Sequence, residues 1–226
     1  YDRIAGYFSG SIIETAGEAL ESVTGTIRVV CNSGLQPQDV VTAADGVVER
    51  MIVAALRSAF PDDAFLGEEG GGTAGDRCWV IDPIDGTANF ARGLPHWCVS
   101  IAFVADGRTE VGVICDPNGA RLYSARRGAG ASCNAAPIRV SATDDLVRAT
   151  VDIGYSRRTK VDDFARIMTR LLLQGVNVTQ CGSAALGLAR VADGRLDGYA
   201  ERHLYAWDAL AGLLLPRSIP AQRRRW

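Results

Sequence analysis

The spacing of the hydrophobic positions changes twice along this chain. Apolar side chains recur at helical intervals over residues 8–24 and about 43–60, which predicts two amphipathic helices. Between residues 64 and 140, short apolar runs alternate with turn residues such as Asp116-Pro117-Asn118-Gly119, a pattern typical of an antiparallel meander. From residue 149 onward, strand-like and helix-like segments alternate, as in an α/β unit.

The bounds of these elements follow from where each pattern breaks. Strands are predicted over residues 64–67, 78–81, 98–104, 110–115, 121–125, 138–140, 149–153, 176–180 and 197–200. Later helices are predicted over residues 161–173, 183–192 and about 206–215. The helix at 43–60 is expected to begin at Thr42, because Thr42 to Asp45 resembles a capping box. Pro216 and Pro220 argue against helix or strand after Leu215.

A polar stretch at residues 141–148 separates the two patterns. We therefore predict an N-terminal α+β lobe over residues 1–145 and a C-terminal α/β lobe over residues 146–226. The N-terminal lobe would combine two helices with an antiparallel sheet.

Composition narrows the class of protein. The 226 residues are 47% hydrophobic and 22% charged, which excludes a disordered chain and predicts a compact core. No run of about 18 apolar residues occurs, so no membrane partner is expected. The net charge of -2 gives no electrostatic basis for binding nucleic acid. The six cysteines contain no Cys-x-x-Cys pair, and we interpret them as reduced core thiols of a cytoplasmic protein.

Missing motifs exclude several kinds of chemistry. The single lysine, Lys160, follows no glycine-rich loop, so a Walker-type phosphate loop is excluded. The chain has two histidines, His96 and His203, which argues against a zinc site built mainly from histidine. No Gly-x-Ser-x-Gly elbow for a catalytic serine is present.

The segment most suggestive of chemistry follows the apolar strand at 78–81. Asp82 and Asp85 stand three residues apart, with Pro83 and Gly86 forcing a turn. Carboxylates held at a strand end are hard oxygen ligands of the kind that Mg²⁺ prefers. The amides of Gly86 and Thr87 are candidates for binding phosphate. The plainer alternative is an Asx turn between a strand and a loop.

Two further acidic positions favour the metal-site interpretation over the Asx turn. Glu68 and Glu69 follow the strand at 64–67, and Asp208 precedes an apolar helix. Taken singly, the glutamates would be solvated loop charges and Asp208 a helix cap. In combination with the aspartates, they predict a cluster of carboxylates.

Together these segments resemble the inositol monophosphatase family. The resemblance rests on four motifs in order, which are Asp39-Val40-Val41-Thr42-Ala43-Ala44-Asp45, Gly67-Glu68-Glu69, Asp82-Pro83-Ile84-Asp85-Gly86-Thr87-Ala88-Asn89-Phe90 and Trp207-Asp208-Ala209-Leu210-Ala211-Gly212. It implies an α/β (α+β) fold, a layered αβαβα sandwich of the inositol monophosphatase and fructose bisphosphatase type. It also implies Mg²⁺-dependent, lithium-sensitive hydrolysis of a small phosphate monoester by metal-activated water, with two or three Mg²⁺ ions. A homodimer is the expected assembly.

The resemblance also implies roles for individual residues. The metal ligands would be the carboxylates of Glu68, Asp82, Asp85 and Asp208 and the backbone carbonyl of Ile84. Glu68, Thr87 and Asp45 would be catalytic, with Thr87 holding the attacking water and Asp45 orienting Thr87. The substrate would contact Asp85, Gly86, Thr87, Gly182, Ser183, Ala184, Glu201 and Asp208.

The substrate is left open among several esters. Inositol monophosphate is preferred because Glu201 suits a polyol, and histidinol phosphate is the nearest alternative because its amine could pair with Glu201. A bisphosphate would need a second cationic subsite, for which Arg157, Arg158 and Arg202 are candidates. A nucleotide 3′-phosphate would need a basic or stacking surface that the sequence does not locate. A non-catalytic scaffold that binds a protein or RNA partner is the alternative to an enzyme.

Overall fold

The computed structural model describes residues 37–218, and side chains over 44–217. The helix predicted at 8–24 lies outside the described residues. The first helix, α1 (Pro37–Ala59), begins about five residues before the predicted capping box, so that prediction was wrong. Proline is favoured at the first position of a helix, and the β-branched residues that follow it each cost well under about 1 kcal/mol. Asp45 therefore lies in the interior of α1 rather than at its start.

A mixed sheet of eight strands forms the centre of the molecule. Its strands are β1 (Ala64–Gly67), β2 (Gly71–Gly72), β3 (Arg77–Asp85), β4 (Cys98–Ala105), β5 (Arg108–Asp116), β6 (Arg121–Arg126), β7 (Gly130–Cys133) and β8 (Ala136–Pro137), in the order β2-β1-β3-β4-β5-β6-β7-β8. Strands β1 and β3 are parallel, and β3 to β8 form the predicted antiparallel meander. The meander therefore confirms the sequence pattern from β3 onward. For residues 64–67 the prediction was wrong, because β2 turns back on the outer side of β1 and the chain then returns to form β3 parallel to β1.

The last part of the meander differs from the prediction. The strand predicted at 138–140 is absent from the described residues, and the hairpin of β7 and β8 precedes it. Asn134 and Ala135 both have positive φ, at 49° and 64°, which gives a tight turn between Cys133 and Ala136. Such turns match the twist of paired strands. Asn-Ala is a weaker sequence signal for this turn than Asn-Gly, so it was missed.

A second sheet of three parallel strands follows. Its members are β9 (Thr150–Ile153), β10 (Asn177–Thr179) and β11 (Gly198–Ala200), in the order β10-β9-β11. The helices are α2 (Thr87–Ala91), α3 (Val161–Leu173), α4 (Ala184–Ala192) and α5 (Ala206–Ser218), with a 3₁₀ turn at Leu146–Arg148. Helix α5 continues past Leu215 because Pro216 falls in its last turn, where it removes a single backbone hydrogen bond.

The two faces of the large sheet bury alternate residues of β3. Trp79 and Ile81 pack with Leu56 of α1, whereas Cys78 and Val80 pack with α4 and α5. This alternation is the two-residue period of a strand that is covered on both sides. Helix α4 also contacts β11, and α3 contacts β10. The succession of α1, large sheet, α4 with α5, small sheet and α3 confirms the layered α/β architecture.

The division into lobes at residues 1–145 and 146–226 stays a prediction. Helices α4 and α5, which belong to the second of these lobes, are part of the core of the large sheet. In the part of the chain that the structure describes, no helix combines the length and the apolarity that crossing a bilayer requires.

Candidate active site

An irregularity at the end of β3 brings two aspartates onto one face of the sheet. In a regular strand, residues three apart point to opposite faces. Here Asp82 lies opposite Ser100 and Asp85 lies opposite Cys98, so three steps along β3 match two steps along β4. The extra residue is a β-bulge, and it falls at the Pro83-Ile84 step. Asp82 and Asp85 consequently share the face that carries α4 and α5.

The carboxylate of Asp85 binds the N-terminus of α4. It accepts hydrogen bonds from the Ser183 hydroxyl at 2.6 Å and from the amides of Ala184 and Ala185 at 3.2 and 2.7 Å. Burial raises the pKa of Asp85 to about 6, while the bonds from Ser183 and Ala185 act in the opposite direction. An anion at this position is favoured because the first helical amides lack partners within the helix.

Glu68 reaches Asp82 because β1 and β3 run in parallel. Gly67 pairs with Ile81, and the Glu68 amide donates to the Ile81 carbonyl at 3.2 Å. The carboxyls of Glu68 and Asp82 act on each other, which lowers the pKa of Glu68 and raises that of Asp82. Burial raises the pKa of Glu68 to about 7 and that of Asp82 well above its ordinary value, and the neighbouring carboxylates add to both. The site therefore concentrates negative charge.

A residue that the sequence reasoning missed, Glu49, holds the loop that carries Glu68. Its carboxylate accepts from the amide of Glu69 at 2.9 Å and from that of Gly70 at 2.6 Å. A Cβ atom on Gly70 would lie only 2.5 Å from Glu49 Oε1, so the Glu49 carboxylate would have to shift to admit one. Glu49 stands one helical turn after Asp45 in α1, which is the signal that could have identified it.

The expected hydrogen bond between Asp45 and Thr87 is not formed. The Thr87 hydroxyl donates instead to the Ile84 carbonyl at 3.0 Å, a local bond across the start of α2. Asp45 is 2% exposed, and its Oδ1 atom has no hydrogen-bond partner among the described residues. Burial, followed by the charges of Glu69 and Glu68, raises the pKa of Asp45 to about 8. Its expected role toward Thr87 stays a prediction.

Asp208 occupies the first turn of α5, where it also caps the helix. Its carboxylate accepts from the Tyr205 amide at 2.8 Å, which is the reciprocal half of a capping box. The Ser100 hydroxyl, opposite Asp82 in the sheet, donates to the Trp207 carbonyl at 3.0 Å and so ties this turn to β4. Burial raises the pKa of Asp208, while the Tyr205 amide and the charge of Arg158 lower it. The capping and site interpretations of Asp208 are thus compatible.

These residues meet in one cleft. Its cavity volume is about 170 Å³, enough for several waters or for a phosphate group with ions. Eleven of the predicted site residues line it, and these are Glu68, Asp82, Ile84, Asp85, Gly86, Thr87, Gly182, Ser183, Ala184, Glu201 and Asp208. Asp45 alone of the predicted set is not on the lining.

Tyr199 holds Glu201 at the opposite wall of the cleft. The Tyr199 hydroxyl donates to Glu201 Oε2 at 2.6 Å. A Cβ atom on Gly154 would collide with this pair, and one on Gly187 would lie 2.6 Å from the Tyr199 ring. Sequence reasoning missed Tyr199, although a residue two positions before Glu201 on a strand shares its face.

The three arginines considered for a second cationic subsite, Arg157, Arg158 and Arg202, have different surroundings. Arg202 donates to Asp163 at 2.8 Å and is committed to that surface ion pair. Arg158 instead lies over the Tyr205 ring, with its guanidinium carbon 3.9 Å from the ring centroid. Arg157 is exposed. The positive charge of Arg158 lowers the pKa of both Glu201 and Asp208.

The donor set of the cleft fits a hard divalent cation. Four carboxylates and a backbone carbonyl supply only oxygen ligands. Burial is the main cause of the raised carboxyl pKa values, and for Glu68, Asp82 and Asp85 repulsion from neighbouring carboxylates adds to it, which a cation would offset. Within residues 44–217, no three acidic, histidine or cysteine side chains are already gathered as a metal centre. The identity and number of the ions are therefore matters for proposal.

Comparison with known proteins gives a consistent result. Residues 7–217 match the family model of the inositol monophosphatase family. The chain is 43% identical over 195 residues to the "Nus factor SuhB" of Xylella fastidiosa, covering 85% of this chain and 70% of that protein. It is 39% identical over 207 residues to the "Inositol-1-monophosphatase" of Rhizobium meliloti, covering 89% of this chain and 78% of that protein. The solved inositol monophosphatase of Anabaena superposes with a TM-score of 0.74 at 38% identity, over 80% of this chain and 75% of that one.

Proposed function

Since this chain belongs to the inositol monophosphatase family, we propose that it hydrolyses a small phosphate monoester with Mg²⁺, with inositol monophosphate as the preferred substrate. The observation that carries the proposal is the bulge in β3. It turns Asp82 and Asp85 toward the same cleft as Glu68 and Asp208. Family members generally depend on metal ions, and this cleft offers the oxygen ligands that such ions need.

The proposed metal ligands are Glu68, Asp82, Asp85, Asp208 and the carbonyl of Ile84. When bound there, Mg²⁺ would supply an activated water and offset the charge of the phosphate. The repulsion among four carboxylates makes the cleft hostile to an anionic ester in the absence of cations. The proposed dependence on Mg²⁺ therefore follows from the charge of the protein's own residues.

The start of α2 would hold the phosphate. The amides of Asn89 and Phe90 donate to the Gly86 carbonyl at 2.8 and 3.0 Å, so the amides of Gly86 and Thr87 precede the first helical hydrogen bond. Gly86 has φ of 95°, and a Cβ atom there would lie 2.7 Å from the His96 carbonyl. Glycine is thus required for the backbone to take this path beside the cleft.

Glu201 would bind the alcohol part of the ester. Tyr199 engages its Oε2 atom, which leaves Oε1 able to accept a hydrogen bond from a substrate hydroxyl. A polyol offers several such donors, and this supports inositol monophosphate. The amine of histidinol phosphate could use the same oxygen, so that ester remains the alternative within the family.

The test is phosphate release, with Mg²⁺, from inositol 1-phosphate and histidinol phosphate side by side. We expect turnover of both and a higher kcat/KM for the inositol ester. Asp82→Asn should abolish turnover and leave the fold intact. Asp106→Asn is the matched control, because Asp106 lies in the exposed β4–β5 turn with φ of 50°, which asparagine tolerates. A preference for histidinol phosphate would reassign the substrate.

A non-catalytic scaffold is the second candidate, because several relatives carry the name "Nus factor SuhB" rather than that of an enzyme. Folded protein that releases no phosphate from any monoester in Mg²⁺ would support this alternative. The expected homodimer is checked separately by light scattering of the full chain.

A further inference from the structure

Cys181 is held through its backbone from both sheets of the molecule. Its amide donates a hydrogen bond at 3.0 Å to Asp152, on the middle strand β9 of the small sheet. Its carbonyl accepts one at 2.8 Å from the side chain of Asn89, in helix α2, which follows β3 of the large sheet. We call Asn89, Asp152 and the backbone of Cys181 the Cys181 clamp. The clamp immediately precedes residues 182–184, which line the cleft.

Asn89 uses both of its side-chain N–H groups on backbone carbonyls. The second group donates to the His96 carbonyl at 2.7 Å. The Asn89 backbone amide also donates to the Gly86 carbonyl at 2.8 Å, within the turn proposed to hold phosphate. Gly182 has φ of 76°, and a Cβ atom there would lie 3.0 Å from Asn89 Nδ2. Asn89 therefore fixes the start of α2 closely against the segment that leads into α4.

Asp152 is 1% exposed, and its carboxylate binds the segment that leads out of β10. Besides the Cys181 amide, its Oδ2 atom accepts from the Thr179 hydroxyl at 3.2 Å. Thr179 lies opposite Asp152 in the parallel register of β9 and β10. A buried carboxylate is costly unless hydrogen-bond donors such as these surround it. Asp152 therefore keeps Cys181 in a fixed place relative to the small sheet.

The segment after the clamp supplies the hydrogen bonds that hold Asp85, which come from residues 183–185. Asp85 in turn immediately precedes the phosphate-binding turn proposed at residues 86–87. Neither Asn89 nor Asp152 is among the described residues that line the cleft. Any effect of these two side chains on the reaction would therefore pass through the path of the chain.

From this geometry we infer that Asn89 and Asp152 are positioning residues of the hydrolysis, which set Asp85 and the phosphate-binding turn relative to each other through the Cys181 clamp. The inference rests on the proposed function. A displacement of reacting groups by about 1 Å can lower a rate about 100-fold. The loss is expected in kcat rather than in KM, because Glu201, which would bind the alcohol, is held by Tyr199 instead.

The test measures kcat and KM for inositol 1-phosphate in Mg²⁺, with variants checked for folding by circular dichroism. Asn89→Asp keeps the shape of the side chain, removes both donors and sets a carboxylate against two carbonyls. It should lower kcat about 100-fold and change KM by less than about twofold. Asn134→Asp is the matched control, because Asn134 likewise donates to a carbonyl, that of Ala120 at 2.9 Å, in a turn that does not line the cleft. An unchanged kcat in folded Asn89→Asp would overturn the inference.

Asp152 gives a second, independent arm of the test. Asp152→Leu removes the acceptors and should lower kcat, whereas Asp152→Asn keeps an acceptor oxygen for the Cys181 amide and should retain most of it. Because both residues act through Cys181, the double variant of Asn89→Asp and Asp152→Leu should be no slower than the slower single variant. Losses that multiply, or an Asp152→Asn variant as slow as Asp152→Leu, would count against the clamp.

Amide hydrogen exchange without ester or Mg²⁺ separates the clamp from catalysis. The amides of Ala184 and Ala185 report the attachment of Asp85 to α4. They should exchange about tenfold faster in Asn89→Asp and at the wild-type rate in Asn134→Asp. Wild-type exchange in Asn89→Asp would refute the inference and leave the hydrolase intact. Absence of turnover by the wild type with every ester would overturn the proposed function, and the exchange rates would still decide whether Asn89 holds the partners of Asp85.

Discussion

Replacing Asp45 by asparagine is expected to stabilise the metal-free protein at neutral pH. Asp45 is 2% exposed, and its Oδ1 atom has no partner among the described residues. Burial and the charges of Glu69, Glu68 and Glu49 raise its pKa from 3.8 to about 8. The folded chain therefore keeps a proton on Asp45 that the unfolded chain releases above about pH 4.

The sign and the size of the stabilisation follow from the difference in the pKa of Asp45 between the folded and the unfolded chain. The raised pKa of Asp45 means that its contribution to stability is greatest at low pH and is lost as the pH rises toward 8. The loss amounts to about 1.4 kcal/mol per pH unit over that interval. Asparagine mimics the protonated form and escapes the loss. The variant should gain nothing near pH 4 and at most about 4 kcal/mol at pH 7.

Urea unfolding in the presence of a chelator, at pH 5, 6, 7 and 8, measures the gap in the free energy of unfolding between each variant and the wild type. Wild type, Asp45→Asn and the exposed-turn control Asp106→Asn are compared at each pH. We expect the gap for Asp45→Asn to widen with pH and that for Asp106→Asn to stay flat. A constant gap, or an Asp45→Asn variant that is less stable than wild type at pH 7, would refute the assignment of a neutral, buried Asp45 carboxyl.

Three further predictions concern the walls of the cleft. Ser183→Ala removes the cap of α4 and the 2.6 Å bond to Asp85, and should lower the free energy of unfolding by about 2–3 kcal/mol in urea. Gly86→Ala should cost more than Gly93→Ala in the same measurement; both glycines have positive φ, but only a Cβ at Gly86 meets a backbone oxygen, so an equal loss would contradict the close approach. Tyr199→Phe should raise KM for inositol 1-phosphate several-fold with little change in kcat, because it frees the carboxylate that Tyr199 holds; an unchanged KM would show that this bond does not position the substrate.

The sequence predicted the helices and strands well wherever a single periodicity persisted. Helix α3 was predicted over the observed residues, and β1 likewise. The start of α1 was missed because Thr42 to Asp45 resembles a cap and lies inside a longer helix. Local propensities differ by less than the free energy of packing, so a helix can run through such a signal.

The sequence predicted which residues form the site but not how they are positioned relative to one another. The spacing of Asp82 and Asp85 in a regular strand would place them on opposite faces, and only the bulge in β3 reverses this. Glu49 and Tyr199 were missed because each acts through another residue rather than through a motif. Arg158 and Tyr205 come from loops that are far apart in the chain, so no local pattern could have revealed their contact.

The most direct test of the central claim is phosphate release from inositol 1-phosphate during a titration with Mg²⁺. The claim is that the carboxylates around Asp82 hold the cations on which hydrolysis depends. We expect no release in chelator, a rate that rises and saturates with Mg²⁺, and no response in Asp82→Asn. Release that is equal with and without Mg²⁺, or that persists in Asp82→Asn, would contradict it.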